Sequence, residues 1–445
     1  MVHSGKNTAV LGLGHSGEAA AILLLEEGAC VTVCESVDST IMRQKAAHLE
    51  RRGARVLFGS AAESDSTAYD LVVLSPGIDP SAPLVQNILK KSIPVIGELE
   101  LAYEECLCPT VAITGTNGKT TTTELTTHIL AGAGLRTMAS GNIGLPFATA
   151  VRESHLLDVM VLEVSSFQLE TIRSFRPKIA AWLNLSPNHL DRYTELEDYR
   201  AAKLRIFENQ TPDDWAVVNA LAELPELPAR RLTFSAKTSA ADFTLDGNAI
   251  CFRGDKIIDQ SSTLLPGNHN AENIMAALAI GYALDLDLET LALAIGKYAP
   301  PTHRCEFVRE LDGVRWINDS KATNLDAMEM AIHSQQGQLI LIAGGKDKGF
   351  TFDSIAPLVA ERSRTAILIG EMKERIAASW KKTECHTIGT LEEAIHLAHR
   401  ISRPGDTVLF SPGTSSFDMF LNYGERGNLF KSFVQQLNPH PTENP

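Results

Sequence analysis

The run Thr114-Gly115-Thr116-Asn117-Gly118-Lys119-Thr120-Thr121 constrains the fold more than any other stretch of the chain. It follows the apolar segment Thr110-Val111-Ala112-Ile113 and precedes an amphipathic one, Thr121 to Ala131. A strand that passes through a glycine-rich turn into a helix must return beside itself, so the run predicts a parallel sheet covered by helices. The same geometry turns backbone N–H groups and the positive end of the helix dipole toward bound phosphate. Lys119 then supplies a point charge to the β- and γ-phosphates, and the Thr120 hydroxyl is placed to ligate Mg²⁺. The run departs from the common phosphate-loop pattern, because Ala112 or Ile113 stands where the first glycine usually sits. The bland reading is a glycine turn with a surface lysine. The strand before, the helix after and four consecutive threonines (Thr120 to Thr123) argue against it.

At 445 residues the chain is too long for one core, and punctuation along it predicts three α/β units. In residues 1–96, strands at Thr8–Leu13, Cys30–Cys34 and Asp70–Leu74 alternate with helical stretches such as Glu18–Glu27. In residues 97–300, the phosphate loop is followed by strands at Val159–Val164 and Ile179–Leu185. A hairpin turning at Asp246-Gly247-Asn248 comes next, then a helix from Ala271 to Tyr282. Pro300-Pro301 breaks the chain, and residues 301–445 repeat the rhythm with strands at Val314–Ile317, Leu339–Ile342, Ala366–Ile369 and Thr407–Phe410. Leu74-Ser-Pro-Gly and Phe410-Ser-Pro-Gly echo each other as strand ends, a hint that the first and third units share a topology. The polar, proline-rich tail from Asn438 is expected to be disordered.

Composition excludes several classes. Hydrophobic residues at 44% and charged residues at 21% describe a folded chain, and a formal charge of −14 argues against a nucleic-acid partner. No apolar run reaches the length of a bilayer span, and residues 1–6 lead straight into a strand without a secretion signal, so no membrane insertion is expected. Seven scattered cysteines suit a reducing cytoplasm. Cys106 and Cys108 are one residue apart, too close for the usual Cys-x-x-Cys metal or redox knuckle.

Several side chains at predicted strand ends could meet the phosphate loop, where open parallel sheets collect ligands. Glu163 ends an apolar strand and is either a metal ligand or a salt-bridge partner. His189, in Asn184–Tyr193, could bind Mg²⁺ or position phosphate, although a lone histidine is more often structural. Lys203, in a helical stretch from Asp198 to Phe207, reads by default as a solvated surface lysine. Gly12-x-Gly14-x-x-Gly17 with Glu35 some way on matches a dinucleotide fingerprint, so a nicotinamide dehydrogenase is one reading. The same backbone physics serves any nucleoside diphosphate, and a UDP-linked substrate suits it. In the third unit His303-Arg304, Asn318–Asn324 and Gly344–Lys348 gather cations and polar groups at strand ends.

These pieces, together with Gly141-Asn142-Ile143-Gly144, Glu163–Glu170, Asn188–Tyr193 and Ser411–Phe420, resemble the Mur ligases of peptidoglycan synthesis over almost the whole chain. The resemblance implies a Rossmann-like first domain, a central domain of the P-loop ATPase kind with a small β-hairpin region, and a Rossmann-like third domain. It implies ATP-dependent coupling of D-glutamate to UDP-N-acetylmuramoyl-L-alanine through an acyl phosphate, by a cytoplasmic monomer. It assigns Gly115, Thr116, Asn117, Gly118, Lys119, Thr120, Thr121, Asn270, Asn273, Arg304, Asp319 and Lys321 to ATP. Two Mg²⁺ ions are implied, with Thr120, Glu163, His189 and a carbamylated Lys203 as ligands. Lys119, Glu163, His189 and Lys203 form the implied catalytic set. Gly14, His15, Ser16, Glu35, Ser36, Gly77 and Asn142 match the UDP-substrate site. Thr323, Lys348, Ser416 and Tyr423 match the pocket for D-glutamate. Three readings stay open beside this one: a sister ligase taking another amino acid, a dehydrogenase, and a non-catalytic nucleotide switch.

Overall fold

The computed structural model describes residues 2–78, 82–89, 93–186, 193, 195–335, 337–347 and 351–439. The chain divides into two compact units, Met1–Tyr298 and Ala299–Pro445. The first unit carries two sheets and the second carries one.

The first sheet contains β1 (Asn7–Leu11), β2 (Cys30–Glu35), β3 (Arg55–Phe58), β4 (Leu71–Leu74) and β5 (Val95–Gly97). Its order is β3-β2-β1-β4-β5, parallel throughout. β1 and β4 are buried along nearly their whole length, which is why they read as continuous apolar runs. β3 and β5 were not predicted: Arg55-Val-Leu-Phe lies half-buried at one edge, and β5 is only three residues long. The first sheet therefore runs through Ile96, where punctuation in the sequence opened the second unit.

The second sheet contains β6 (Thr110–Thr114), β7 (Thr137–Gly141), β8 (Val159–Glu163), β9 (Ile179–Trp182), β10 (Trp215–Asn219), β11 (Arg230–Ser235), β12 (Phe243–Asp246), β13 (Ala249–Phe252) and β14 (Asp255–Asp259). Its order is β14-β13-β12-β11-β10-β9-β6-β8-β7. The predicted hairpin is present as the antiparallel pair β12–β13, and it joins the parallel part of the sheet through β11. The helices Lys119–Gly132 and Asn268–Ala283 pack on this sheet in one apolar core with Val111, Ile113 and Val161.

In the second unit, β15 (Glu306–Leu311), β16 (Val314–Asn318), β17 (Leu339–Gly344), β18 (Ser363–Ile369), β19 (Glu384–Thr387) and β20 (Thr407–Phe410) lie in the order β15-β16-β20-β17-β18-β19. Read from the β19 end, β19-β18-β17-β20 corresponds to β3-β2-β1-β4 of the first sheet, with β16 in the place of β5. The echo between Leu74-Ser-Pro-Gly and Phe410-Ser-Pro-Gly thus falls on equivalent strands, β4 and β20. Both sheets are Rossmann-like, but the outer strand comes from the end of the first sheet's chain and from the beginning of the second unit's.

A short helix, Glu98–Glu104, links the first two sheets and is held by two buried carboxylates. Glu98 Oε1 accepts from the Ala148 amide at 2.6 Å, at the start of the helix Phe147–Ala150. Glu100 accepts from the amides of Arg173, Ser174 and Phe175 and from the Ser174 hydroxyl. Gly97 lies so close to this segment that an added Cβ would stand 2.2 Å from Thr171 Oγ1. Burial pushes Glu98 from 4.5 up to about 7, against the pull of its backbone donors. The folded state therefore retains a proton that the unfolded chain releases. Stability from this group is fully present below about pH 4.5 and is lost as pH rises toward 7, by about 3 kcal/mol in all. Glu98→Gln should abolish that component. The difference in unfolding free energy between variant and wild type, measured in urea from pH 5 to pH 8, should move in the variant's favour as pH rises. A pH-independent difference would place the ionisation elsewhere.

Candidate functional site

The phosphate-loop run is a strand, a turn and a helix, as its sequence dictates. β6 ends at Thr114, the helix begins at Lys119, and Gly118 between them has φ +84°, in the left-handed region that favours glycine. A side chain there would also collide with Asn273 Oδ1, 2.4 Å from the position of an added Cβ. The Lys119 ammonium is buried and donates to the carbonyls of Gly115 and Thr116, both at 2.9 Å. Burial lowers its pKa, partly offset by Glu163.

One residue outside the predicted set shapes this loop. Asn184, just beyond β9, accepts from the amides of Thr116 and Asn117 at 3.1 and 2.8 Å and returns a hydrogen bond to Asn117 O at 3.0 Å. Two of the amides expected to face phosphate are therefore engaged with a neighbouring strand end. The N–H groups of Lys119, Thr120 and Thr121 precede the first bond of the helix, Thr122 N to Gly118 O at 2.9 Å, and keep the anion-binding geometry. Asn184 opened a segment singled out in the sequence, but amide side chains at strand ends are too common to have marked it.

Glu163, the last residue of β8, is 3% exposed and spans two segments. Its Oε2 accepts from the Thr120 hydroxyl at 2.7 Å and its Oε1 from the Asn142 amide at 2.8 Å. Both hydrogen-bond partners are neutral, while Glu163 also acts electrostatically on the buried amines of Lys119 and Lys203. The pair Thr120–Glu163 offers the hard oxygen donors that Mg²⁺ prefers.

Lys203 corrects its default reading. It is 1% exposed, in the helix Leu196–Leu204, and reaches the loop at Thr114 and Gly115. Its amine donates to Gly115 O at 2.9 Å, so Lys119 and Lys203 share one carbonyl, and it lies 4.7 Å from the centre of the Tyr199 ring. Burial, then repulsion from Lys119, drives its pKa well below 10.5, while Glu163 pulls the other way. The helix carrying it exposes Glu197 and Asp198 and half-exposes Arg200, which hid the charged residue that turns inward. Asn273 takes a hydrogen bond from Thr122 at 3.1 Å and donates to Asn270 at 3.2 Å, so this pair buttresses the same loop. Asn188 and His189 lie outside the described residues.

Two of the three glycines at the end of β1 meet a steric constraint. Gly12 has φ +91°, and a Cβ on Gly17 would stand 2.0 Å from Gly12 O, so close packing of helix His15–Glu26 requires both. Gly14 opens that helix with no atom within 4 Å of an added Cβ. His15 and Gly77 are exposed nearby, beyond β1 and β4, at the point where strand order reverses. Glu35 accepts from Leu13 N at 2.7 Å and Val37 N at 2.9 Å, and Ser36 Oγ lies 3.3 Å from its Oε1. The carboxylate thus ties the glycine turn to the end of β2.

In the second unit, Asp319 follows β16 and accepts from Cys305 N at 3.1 Å and Ser411 Oγ at 2.7 Å. Burial pushes it up to about 7. Lys321 N donates to His303 O at 2.9 Å, and the Arg304 Nε is buried with no partner among the described residues. Arg426, itself buried, binds Ser320 and Thr414 and so joins the loops after β16 and β20. Ser416 is buried and Thr323 half-buried in those loops, while Tyr423 is 41% exposed. Lys348 lies outside the described residues.

Three family models match the chain. Residues 6–97 match the Mur ligase MurD-like N-terminal domain, residues 113–281 the Mur ligase middle domain, and residues 303–413 the Mur ligase glutamate ligase domain. The UDP-N-acetylmuramoylalanine–D-glutamate ligase of Geobacter metallireducens is 43% identical over 98% of this chain and 98% of its own. The enzyme of the same name from Trichlorobacter lovleyi is 42% identical over 97% and 99%. Among solved structures, a murein peptide ligase from Psychrobacter arcticus has a TM-score of 0.53 at 16% identity, covering 98% of this chain and 100% of that one. The UDP-N-acetylmuramate-alanine ligase MurC of Thermotoga maritima has 0.52 at 18%, covering 97% and 99%. At that distance the structures speak for the fold alone. No helix among the described residues is long and apolar enough to cross a membrane. A phosphate loop braced by Glu163 and Lys203, a Rossmann-like sheet in each unit and matches along nearly the whole length lead to one conclusion: this chain belongs to the Mur ligase family.

Proposed function

We propose that the protein forms the amide bond between UDP-N-acetylmuramoyl-L-alanine and D-glutamate at the expense of ATP, in peptidoglycan precursor synthesis. The observation that carries this reading is full-length identity above 40% to relatives named for that reaction, on a chain whose phosphate loop is intact. The dehydrogenase reading loses its support, because the relatives matched along nearly the whole chain are named for ligation.

In this reading Lys119, Gly115–Thr121 and the first helical turn hold the ATP phosphates, with Asn270 and Asn273 behind them. Arg304, Asp319 and Lys321 serve the nucleotide from the second unit. Gly14, His15, Ser16, Glu35, Ser36 and Gly77 receive the UDP moiety, and Asn142 lies toward the sugar. Thr323, Lys348, Ser416 and Tyr423 take D-glutamate. The substrate carboxylate attacks the γ-phosphorus and ADP leaves. The amine of D-glutamate then attacks the acyl phosphate, and phosphate departs. Positioning and charge stabilisation supply most of the rate. Thr120 and Glu163, with His189 and carbamylated Lys203, would hold two Mg²⁺ ions, which supply Lewis acidity to the phosphoryl oxygens. Two buried amines on one carbonyl support the carbamate: a neutral Lys203 amine is a nucleophile toward CO₂, and the resulting anion relieves the repulsion from Lys119. A monomer in the cytoplasm completes the proposal.

The test is phosphate release with ATP and UDP-N-acetylmuramoyl-L-alanine, offering D-glutamate, L-glutamate, L-lysine and diaminopimelate in turn. Release should require D-glutamate and exceed that with the others by at least about a hundredfold, as expected when buried polar groups read the substrate. Release indifferent to the amino acid would remove the ligase reading, and release with L-lysine would move it to a sister enzyme.

A further inference from the structure

The segment Cys106-Leu107-Cys108-Pro109 joins the helix Glu98–Glu104 to β6 and enters that strand at the end opposite Thr114. The two thiols, one residue apart, are in contact: Cys106 Sγ and Cys108 Sγ lie 3.9 Å apart, both half-buried. The backbone around them is pinned. Cys106 N donates to Tyr103 O at 3.1 Å, Leu107 N to Ser154 Oγ at 3.2 Å, and Pro109 O accepts from Met160 N at 3.0 Å. Between the thiols the Leu107 side chain is 77% exposed, so the turn that carries them is at the surface.

We propose that Cys106 and Cys108 are a redox-active dithiol, oxidised to an intraloop disulfide by exchange with low-molecular-weight disulfides. Their spacing, which argues against a metal or redox knuckle in sequence, does not prevent this. Two Cα–Cα steps of about 3.8 Å, flexed at Leu107, fall within the roughly 4.4–6.8 Å that a disulfide spans. The sulfurs need to close from contact to about 2.05 Å, which side-chain rotation and a small loop adjustment supply. Metal binding is the weaker use of the pair, because among the described residues no set of three potential ligand side chains forms.

The two thiols have different roles. The Cys108 thiol hydrogen-bonds to Cys106 and brings it down to about 7, against the effect of burial; the same bond and burial hold Cys108 up. Cys106 is therefore the attacking thiolate. It attacks one sulfur of the small disulfide, forms a mixed disulfide and expels one thiolate. Cys108 then loses its proton and attacks the Cys106 sulfur, expelling the second thiolate. The dithiol gives up two electrons and two protons, and the small disulfide becomes two thiols. A ring closed over a single residue is strained, so thiols should reverse it readily.

The test treats the full-length protein with oxidised glutathione near neutral pH, blocks free thiols and weighs the peptide containing residues 106–108. We expect that peptide to lose two hydrogens and to regain them with dithiothreitol. Cys108→Ser should stop at a glutathione adduct on Cys106. Cys106→Ser should take up glutathione at Cys108 at least about tenfold more slowly than wild type reacts. Glutathione adducts on wild type without ring closure would overturn the proposal. So would an unreacted peptide under conditions that modify the exposed Cys30.

Discussion

Lys119→Met should lower the rate of phosphate release with all three substrates by about a thousandfold or more while leaving the protein folded. The ammonium is held by two loop carbonyls at 2.9 Å, at the start of the helix whose first turn offers its free amides. Methionine keeps most of the length and apolar stem and deletes only the charge. Losing one preorganised charge or donor at a developing negative charge typically costs a hundredfold to a hundred-thousandfold. Removing the cation also removes its repulsion on Lys203, so the uncarbamylated amine should titrate at higher pH in the variant. Steady-state kinetics with saturating ATP and thermal unfolding of the same preparation give the result. Activity within tenfold of wild type, with fold intact, would show that the loop binds phosphate without its lysine.

The second large effect concerns stability. Glu100→Ala should destabilise the first unit by about 4 kcal/mol, seen as an earlier urea transition. Glu100 is fully buried and satisfies the amides of Arg173, Ser174 and Phe175 together with the Ser174 hydroxyl. Truncation leaves three N–H groups without acceptors, that of Phe175 buried and those of Arg173 and Ser174 partly so, each worth about 1–3 kcal/mol, and partial solvation of the gap recovers some of it. Glu100→Gln keeps one acceptor oxygen and should lie between alanine and wild type. An alanine variant within 1 kcal/mol of wild type would mean that water replaces the carboxylate without loss.

The phosphate loop, both Rossmann-like sheets and the β12–β13 hairpin were legible because each rests on local signals: apolar runs of strand length, glycines at forced turns, and a polar two-residue turn. Buried strands such as β20 were read to the residue. Edge strands such as β3 and β19, half-buried and charged, carried no such contrast. The site residues divide similarly. Glu163 announced itself as a charge at the end of an apolar strand, whereas Lys203 looked like its solvated helix neighbours, since which face of a short charged helix turns inward depends on the sheet it meets. Asn184, Glu98 and Glu100 act through distant backbone amides, and no spacing rule in one sequence points to a partner tens of residues away.

The displaced outer strand of the second unit has a consequence for synthesis. In the first sheet each strand finds its neighbours among segments made within the first hundred residues, so that sheet can assemble as the chain leaves the ribosome. In the second unit, β16 is flanked by β15 and β20, and the register Val408 against Trp316 cannot form until β17, β18, β19 and β20 have all been made. Until then β15 and β16 have only each other, and a two-stranded hairpin is marginal in water. The synthesis of β20 therefore completes a sheet whose first strands have waited exposed, and that interval is when a nascent chain of this design most needs protection from aggregation.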